Sequence, residues 1–308
     1  MKRSIKKVKD DFVKLARMTQ PALKNHLRDV LDACGYDVID GDGYLYGRGD
    51  VVLLTAHLDT VHVKPVKKVY TQTYFDDVVI SSPQGIGGDD RCGVWAVLDV
   101  IPRLLSRGVR PAVLFCEDEE IGGVGSAKFC ETPYIEELTA LRYLIEIDRK
   151  GDNDAVFYDD SNRKFQKYIT ETTGYKLAYG SFSDISHLCP ACGRSGVNLS
   201  SGYYNPHTTS EYVVASEMAH TADVIVKLVL DTIQNDVPAF DYEDAYTGYG
   251  AFLRYGTDIS GAVFYYTGTD GIQKEDWIDA YTFSEAVGEF LMAHPSIPWA
   301  DVLDYELF

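Results

Sequence analysis

Residues 51–61, VVLLTAHLDTV, join an unbroken apolar run to a histidine and an aspartate that stand two positions apart. A short apolar run between polar residues is typical of a strand buried on both faces of a parallel sheet. His57 and Asp59 would then follow the carboxyl end of this strand, where open α/β sheets bind their ligands. A histidine at such a position is more often structural than metal-binding, so the pair needs support from other strands.

Strand-like and helix-like patterns alternate along most of the chain. Two amphipathic helices are predicted at the N-terminus, and the second ends at Gly35. Hairpins are predicted over 36–49 and 63–80, buried strands over 110–120, 140–148 and 195–202, and a long amphipathic helix over 211–233. This alternation predicts an α/β fold of three layers, αβα, around a mainly parallel mixed sheet.

The pattern breaks at residues 235–238, NDVP, and the remainder is rich in Tyr, Gly and Asp. We therefore predict a catalytic domain over 1–235 and a small acidic C-terminal extension over 236–308. Residues 241–308 hold two Lys/Arg against thirteen Asp/Glu. The extension could pack on the domain, cap its pocket or mediate homo-oligomer contacts, and the sequence does not choose among these roles.

Composition excludes several classes of protein. The net charge of −18 argues against a nucleic-acid partner, which needs clustered Lys and Arg. No apolar run approaches the roughly 18 residues of a membrane span, and no signal peptide is visible. The six cysteines of this 308-residue chain are predicted to be reduced thiols in a cytoplasmic protein. Cys189 and Cys192 have a spacing suited to metal or redox chemistry, but a second ligand pair is not evident.

Acids and histidines recur where the predicted strands end. They are His57, Asp59, Asp89, Asp90, Glu119, Glu120, Asp148 and His207. Carboxylates gathered at one sheet edge repel one another unless a cation lies between them. Mixed His and carboxylate ligands suit zinc, with cobalt or manganese as alternatives. Two such ions need a bridging carboxylate, and Asp89 is the natural bridge because glycines flank its motif.

Five ordered motifs resemble those of the two-zinc exopeptidases, a superfamily that includes peptidase T, acetylornithine deacetylase, carboxypeptidase G and the zinc aminopeptidases. The motifs are HLDTV at 57–61, GDDRCG at 88–93, EEIGGVGS at 119–126, ID at 147–148 and NPHTTSE at 205–211. The resemblance extends from about residue 20 to residue 233.

The resemblance implies a ligand set for two divalent ions. Asp89 would bridge both ions, His57 and Asp148 would complete one shell, and Glu120 and His207 would complete the other. A bridging hydroxide would then be the nucleophile.

The resemblance also implies two catalytic residues. Glu119 would act as the general base that moves a proton from the bridging water to the leaving amine. Asp59 would accept a hydrogen bond from the ring of His57 and fix its tautomer.

The chain departs from the deacetylase and carboxypeptidase branches in one spacing. Only 58 residues separate Asp148 from His207, too few for the lid domain, on the order of a hundred residues, that those relatives insert there. This layout favours the single-domain aminopeptidase branch. Without a lid, Tyr203 or Tyr204 is a candidate for stabilising the oxyanion, and Ser183 and Asp184 either line the pocket or cap a helix.

The favoured function is a metal-dependent exopeptidase of the aminopeptidase type, acting on peptides. A deacylase of N-acyl amino acids, a carboxypeptidase and an inactive metal-binding module are the alternatives. Three histidines without strand-end context, at 62, 187 and 220, are expected to be structural or at the surface. Glu136 and Glu137 are expected on a solvated helix face.

Overall fold

The computed structural model describes residues 4–62, 64–75, 77–244, 262–269, 273–278, 290, 293–294 and 302–307. The chain divides into two compact units, Met1–Asp244 and Ala245–Phe308. Among the described helices, none combines the length and apolar character needed to cross a membrane.

The first unit contains helices and strands in alternation. Its helices are α1 (Ile5–Ala16), α2 (Gln20–Ala33), α3 (Gly88–Leu105), α4 (Val124–Cys130), α5 (Ile135–Leu138), α6 (Arg163–Thr173), α7 (Ile185–Cys192) and α8 (Ala215–Gln234). Its strands are β1 (Val38–Gly41), β2 (Tyr44–Gly47), β3 (Asp50–His57), β4 (Tyr70–Tyr74), β5 (Asp77–Ser81), β6 (Pro111–Cys116), β7 (Tyr143–Arg149), β8 (Asp154–Val156), β9 (Lys176–Ala178), β10 (Gly196–Ser200), β11 (Tyr203–Tyr204) and β12 (Tyr212–Val214).

Eight of these strands form the central sheet, in the order β1-β2-β6-β3-β7-β10-β8-β9. Strand β3 pairs in parallel with both β6 and β7, and β7 pairs in parallel with β10. The β1–β2 hairpin joins the edge of β6 in antiparallel orientation. The predicted mainly parallel mixed sheet is confirmed.

Helices cover both faces of this sheet, which explains why residues 51–56 of β3 are apolar apart from buried Thr55. Val52, Leu54 and Ala56 belong to a core shared with α1, α2, α3, α6 and α8. Leu53, on the opposite face, belongs to a second core shared with α4, α5 and α7. Successive side chains of a strand point to opposite faces, so a strand between two helix layers is predominantly apolar on both of its faces. The predicted three layers are therefore present.

A second, antiparallel sheet has the order β11-β12-β5-β4. Its β4–β5 hairpin was expected from the sequence, whereas β12 occupies residues that we predicted to be helical. Helix α8 begins only at Ala215, and Tyr212–Val214 pairs with β5. The aromatic and β-branched residues of this tripeptide favour a strand once a partner edge is available.

The second unit has a three-stranded antiparallel sheet of order β14-β13-β15. Its strands are β13 (Ala262–Thr267), β14 (Gln273–Ile278) and β15 (Val302–Leu307). Phe264 is fully buried, and its ring centroid lies 4.7 Å from that of buried Phe290.

The first unit extends beyond residue 235, the predicted end of the catalytic domain. Residues 236–244 stay on this unit through backbone hydrogen bonds. The N–H of Phe240 donates to Arg142 O at 2.8 Å, and Ser195 N–H donates to Phe240 O at 2.9 Å. A loss of helical periodicity therefore precedes the end of the compact unit.

Candidate metal centre and active site

Five different segments of the first unit supply the predicted site residues. His57 ends β3, Asp89 lies in the first turn of α3, and Asp148 lies near the end of β7. The other residues lie in loops: Asp59 after β3, Glu119 and Glu120 after β6, and His207 after β11. Strands β3, β6 and β7 run parallel, so their carboxyl ends share one edge of the sheet.

The carboxylate of Asp89 lies between two imidazoles. Its Oδ1 is 2.8 Å from Nε2 of His57, and its Oδ2 is 3.3 Å from Nε2 of His207. The side chain is largely buried, and non-helical backbone angles with a cis peptide bond to Asp90 shape the turn that carries it. Each oxygen of one carboxylate therefore faces a different histidine.

Each histidine has a second acid beside it. Oδ1 of Asp148 lies 3.7 Å from Nε2 of His57, and Oε2 of Glu120 lies 2.9 Å from Nε2 of His207. Potential ligand atoms of His57, Asp89 and Glu120 all lie within 4.8 Å of one another. The same holds for His57, Asp90 and Asp148. All five predicted metal ligands thus belong to one cluster.

The donor set fits divalent ions of the zinc type. Nitrogen and carboxylate oxygen are ligands that zinc accepts, and the two halves of the cluster share Asp89. Oε1 of Glu120 is buried and has no hydrogen-bond partner among the described residues. An unpaired carboxylate oxygen in a buried site is costly unless a cation or a donor satisfies it.

The raised pKa values of two acids in the cluster also fit a site for divalent cations. Burial, followed by the charge of Asp89, raises the pKa of Asp148 to about 7. Burial together with Asp148, Asp184 and Asp89 raises the pKa of Glu119 to about 9, although the charge of His57 opposes the rise. Protein groups alone therefore leave Asp148 partly protonated and Glu119 mostly protonated near neutral pH, whereas bound cations would favour their ionised forms.

For the two histidines and Asp89 the charged form is favoured instead: the pKa values of the histidines are raised, and the pKa of Asp89 is lowered. Burial opposes protonation of His57, but Asp148, Asp59 and Asp89 raise its pKa well above the ordinary value. Hydrogen bonds to Asp89 and Glu120 raise the pKa of His207 to about 10. Burial opposes ionisation of Asp89, yet its hydrogen bonds with the two histidines hold its pKa below the usual range.

Asp59 joins the histidine to the loop that carries the two glutamates. Its Oδ1 is 3.1 Å from Nδ1 of His57 and accepts the backbone N–H of Glu119 at 3.0 Å. Its Oδ2 accepts the N–H of Glu120 at 3.0 Å. One carboxylate therefore contacts the ring of His57 and also holds the backbone from which the side chains of Glu119 and Glu120 project.

The two candidate tyrosines have different surroundings. The hydroxyl of buried Tyr203 donates to Oδ1 of Asp148 at 3.1 Å. The hydroxyl of Tyr204 donates to Glu217 at 2.8 Å, and its ring stacks on Tyr212. Of the two, Tyr203 is the residue that contacts the cluster.

The second pair of candidates, Ser183 and Asp184, also lies beside the centre. Oγ of Ser183 donates to Oδ2 of Asp148 at 3.1 Å. Asp184 occupies the N-cap position of α7, but its side chain makes no capping hydrogen bond there. The carboxylate is fully buried, and its charge raises the pKa of Glu119.

Sequence reasoning missed the role of Glu211. This fully buried carboxylate accepts the N–H of Gly87 at 2.8 Å and the N–H of Asp89 at 3.0 Å. Its Oε2 also lies 3.0 Å from Nε2 of His62, a histidine that we expected to be structural or at the surface. Glu211 is the last residue of the motif at 205–211, and its place in that motif could have marked it as a site residue. We instead assigned it to the start of the predicted helix.

The remaining candidates lie apart from the cluster. The ring of His187 lies 3.1 Å from Ser126, and His220 stacks on Tyr175. Glu137 accepts hydrogen bonds from Arg48, so it is less solvated than expected. The cysteines are free thiols, and none belongs to a potential metal-binding group in the described part of the chain.

One part of the chain is similar to a known peptidase family. The model of Peptidase family M28 matches residues 42–186. A search of curated proteins finds no match.

Several solved structures share the fold. Aminopeptidase PepT from Bacillus cereus is 15% identical with a TM-score of 0.60, and the match covers 74% of this chain and 99% of that one. The TET1 peptidase of Pyrococcus horikoshii is 15% identical with a TM-score of 0.54, covering 73% of this chain and 99% of that one. A Zn-dependent exopeptidase from Parabacteroides distasonis is 13% identical with a TM-score of 0.54, covering 73% and 96%.

The family match covers HLDTV, GDDRCG, the Glu119–Glu120 pair and Asp148, but ends before His207. The solved structures extend the likeness in fold to about three quarters of the chain. The chain therefore contains a segment that is similar to Peptidase family M28, over residues 42–186, and its fold is similar to those of solved aminopeptidases and of a Zn-dependent exopeptidase.

Proposed function

We propose that this protein is an aminopeptidase-type exopeptidase that works with two divalent metal ions, most simply zinc. The observation that carries the proposal is the position of Asp89, whose two carboxylate oxygens face His57 and His207 at 2.8 and 3.3 Å. A carboxylate shared in this way suits a pair of ions. His57 and Asp148 would hold one ion, Glu120 and His207 would hold the other, and Asp89 would hold both.

The ions, when bound, polarise a substrate carbonyl and lower the pKa of water. Glu119 is the proposed general base, taking a proton from the attacking water and delivering it to the leaving amine. Its carboxylate makes no hydrogen bond with the described residues, whereas its backbone N–H is held by Asp59. The backbone is therefore anchored while the carboxylate stays available to the substrate.

The sign of the charge favours a peptide with a free N-terminus. Several carboxylates surround the centre, and a substrate α-ammonium group would be attracted to them. An N-acyl amino acid brings a negative charge instead and lacks this ammonium group. Deacylase activity and carboxypeptidase activity therefore remain the alternatives to be tested against aminopeptidase activity.

Two further predictions remain proposals. The TET1 peptidase assembles into a tetrahedron or a large octahedral shell, and we propose self-association for this chain as well. A cytoplasmic location is proposed from the free cysteines.

Metal analysis combined with a substrate panel tests the proposed function. The protein should bind close to two zinc ions per chain, lose activity in chelator and regain it on zinc addition. Aminoacyl-anilides should be cleaved in preference to N-acyl amino acids and to peptides with blocked N-termini. Activity confined to blocked amines would overturn the aminopeptidase assignment, and a single bound ion at full activity would overturn the two-ion assignment.

A further inference from the structure

Strand β4 forms an open edge of the small antiparallel sheet. It is the last strand in the order β11-β12-β5-β4, and all of its residues, Tyr70–Tyr74, are exposed. Its backbone hydrogen bonds within the sheet run to β5, and in the described part of the chain no strand pairs with its other side. An edge of this kind offers a row of N–H and C=O groups to another strand.

The other described edge strands of the first unit are shorter, and two of them carry charge. Strand β1 has four residues and includes Asp40, which pairs with Arg28 at 2.8 Å. Strand β9 has three residues and includes Lys176, and β11 has two. Short length and charge are the usual devices that keep an edge from pairing with another chain. Strand β4 has five residues and no charged side chain.

Aromatic side chains are exposed along this edge. Tyr70 and Tyr74 are 46% and 57% exposed, and Phe75, which follows the strand, is fully exposed. Tyr70, Gln72 and Tyr74 lie on one face of the sheet, where they line a groove of about 490 Å³ together with Tyr212. Exposed apolar surface that is gathered in one place is typical of a contact surface.

The sequence of β4 reads the same in both directions. Residues 70–74 are YTQTY, two lysines stand before them at 67–68, and two aspartates follow at 76–77. If two copies of the strand pair in antiparallel orientation around Gln72, Tyr70 lies opposite Tyr74 of the partner subunit. The basic end of each strand then meets the acidic end of the other. Aromatic pairs and opposite charges across two strands are favourable, so the edge is complementary to itself.

The same register also suits the backbone of β4. Along an antiparallel strand, the N–H and C=O groups of alternate residues point to the same side. Centring the pair on Gln72 places Thr71 opposite Thr73 of the partner subunit, so residues whose groups face outward meet residues whose groups also face outward. A shift by one residue would lose these hydrogen bonds and would place each Tyr opposite a Thr.

We propose that this protein forms a two-fold symmetric dimer in which β4 of one copy pairs with β4 of the other, joining the two small sheets into one. The inference rests on the self-association proposed above and names its surface. A second copy fits this edge because pairing about Gln72 repeats every contact twice, as a two-fold axis requires. Each β4 has one open side, so this contact closes after two copies.

A cysteine on the symmetry axis tests the register. Gln72→Cys should form a disulfide-linked dimer under mild oxidation, because facing residues of two paired strands have Cβ atoms about 4.5–5.5 Å apart, close to the separation in a disulfide. A denaturing gel without reductant should show a band at twice the chain mass of 34.4 kDa and no ladder above it.

Two proteins control the cross-linking experiment. Lys176→Cys places a thiol on exposed residue 176 of edge strand β9, and the wild-type protein reports any cross-linking by its own free cysteines. Gln72→Cys should cross-link at least tenfold faster than either control. Equal rates in the three proteins would overturn the proposal.

Charges at the same position test the dimer in solution. Gln72→Lys and Gln72→Glu should each raise the Kd of the dimer by roughly tenfold or more, because like charges then face each other across the axis. An equimolar mixture of the two variants should regain the wild-type affinity, since opposite charges now meet. Analytical ultracentrifugation of the full chain measures each Kd, and Lys176→Glu on β9 is the control. An unchanged Kd in both Gln72 variants would assign self-association to another surface and overturn the proposal.

Zinc content and peptidase activity separate this inference from the proposed function. Gln72 is not among the proposed ligands or catalytic residues, so its variants should keep the wild-type zinc content. A wild-type protein that cleaves peptides but stays monomeric at high concentration overturns the dimer and leaves the peptidase assignment standing. A protein that cross-links through Gln72→Cys but cleaves no peptide does the reverse.

Discussion

The backbone N–H of Asp89 donates to Oε1 of Glu211 at 3.0 Å, although the two residues are 122 positions apart. The second oxygen of Glu211 accepts the N–H of Gly87 at 2.8 Å. A single buried carboxylate therefore holds the turn that presents the proposed bridging ligand. Mutation of a group that orients a metal ligand typically lowers metal affinity or activity by roughly ten- to a hundredfold.

Glu211→Gln should weaken metal binding by roughly ten- to a hundredfold while the fold is kept. Glutamine has one acceptor oxygen, so it cannot accept both backbone N–H groups in the same geometry. Chelator competition measures the affinity. Glu217→Gln is the control, because Glu217 pairs with Tyr204 instead. Equal zinc affinity of Glu211→Gln and wild type would contradict the proposed positioning role.

Glu119→Gln should lower kcat by roughly a hundredfold or more while metal content stays at the wild-type level. The amide keeps the shape of the side chain but cannot accept a proton. Steady-state kinetics and elemental analysis are the two measurements. Glu117→Gln serves as the control, since Glu117 pairs with Lys24 at 2.7 Å. A near-normal kcat in Glu119→Gln would show that another group is the base.

Tyr203→Phe should reduce metal affinity or activity about tenfold, whereas Tyr204→Phe should leave both close to wild type. Of the two tyrosines, Tyr203 donates a hydrogen bond to Asp148, at 3.1 Å, and this donor stabilises the ionised carboxylate. Its loss should raise the pKa of Asp148, so metal binding should need a higher pH. A pH series of zinc affinity for the two variants tests this, and identical profiles would rule out the assigned contact.

The metal-free protein should lose stability as the pH rises from 5 to 9. Asp148, with an ordinary pKa of 3.8, titrates at about 7 in the folded protein, and Glu119 titrates at about 9. Their contribution to the free energy of unfolding is complete below the pKa of the unfolded state, and it is lost as the pH rises through the pKa of the folded state. The raised pKa of His207 acts in the same direction, and the depressed pKa of Asp89 matters only at acidic pH.

Thermal unfolding measured with and without zinc tests the predicted direction of the change in stability with pH. Zinc should stabilise the protein more at pH 8 than at pH 5, and binding should release protons into the solvent. Asp148→Asn should release fewer protons than wild type. A metal-free protein that became more stable between pH 5 and pH 9 would contradict the predicted pKa shifts.

The fragment 1–244 should fold and bind zinc with the stoichiometry of the full chain, because every proposed ligand lies within it. Circular dichroism and metal analysis of the fragment are the measurements. A folded, metal-loaded but inactive fragment would favour a pocket-capping role for the C-terminal segment. An unfolded fragment would contradict its independence.

Much of the fold could be predicted because buried parallel strands carry a local signature. The apolar run of β3 predicted a strand covered on both faces, and the polar residues after it predicted a site at its carboxyl end. Strands β6 and β7 carried the same signature at Glu119, Glu120 and Asp148. Parallel strands end at a common edge, so sequence alone could bring these residues together.

Contacts made across the small antiparallel sheet could not be predicted in the same way. Tyr212–Val214 had a helical pattern, and its pairing with β5 depends on a partner edge some 130 positions earlier in the chain. Glu211, whose carboxylate accepts the N–H groups of Gly87 and Asp89, directly precedes this strand in the chain.

The sequence by itself therefore determined the layered α/β fold and the residue types that gather at one sheet edge, because burial and strand direction leave periodic patterns in the chain. Only the tertiary structure decided which oxygen of Asp89 faces which histidine and which carboxylate supports the turn that carries Asp89. Such relationships depend on distances between segments far apart in sequence, and no local pattern records those distances.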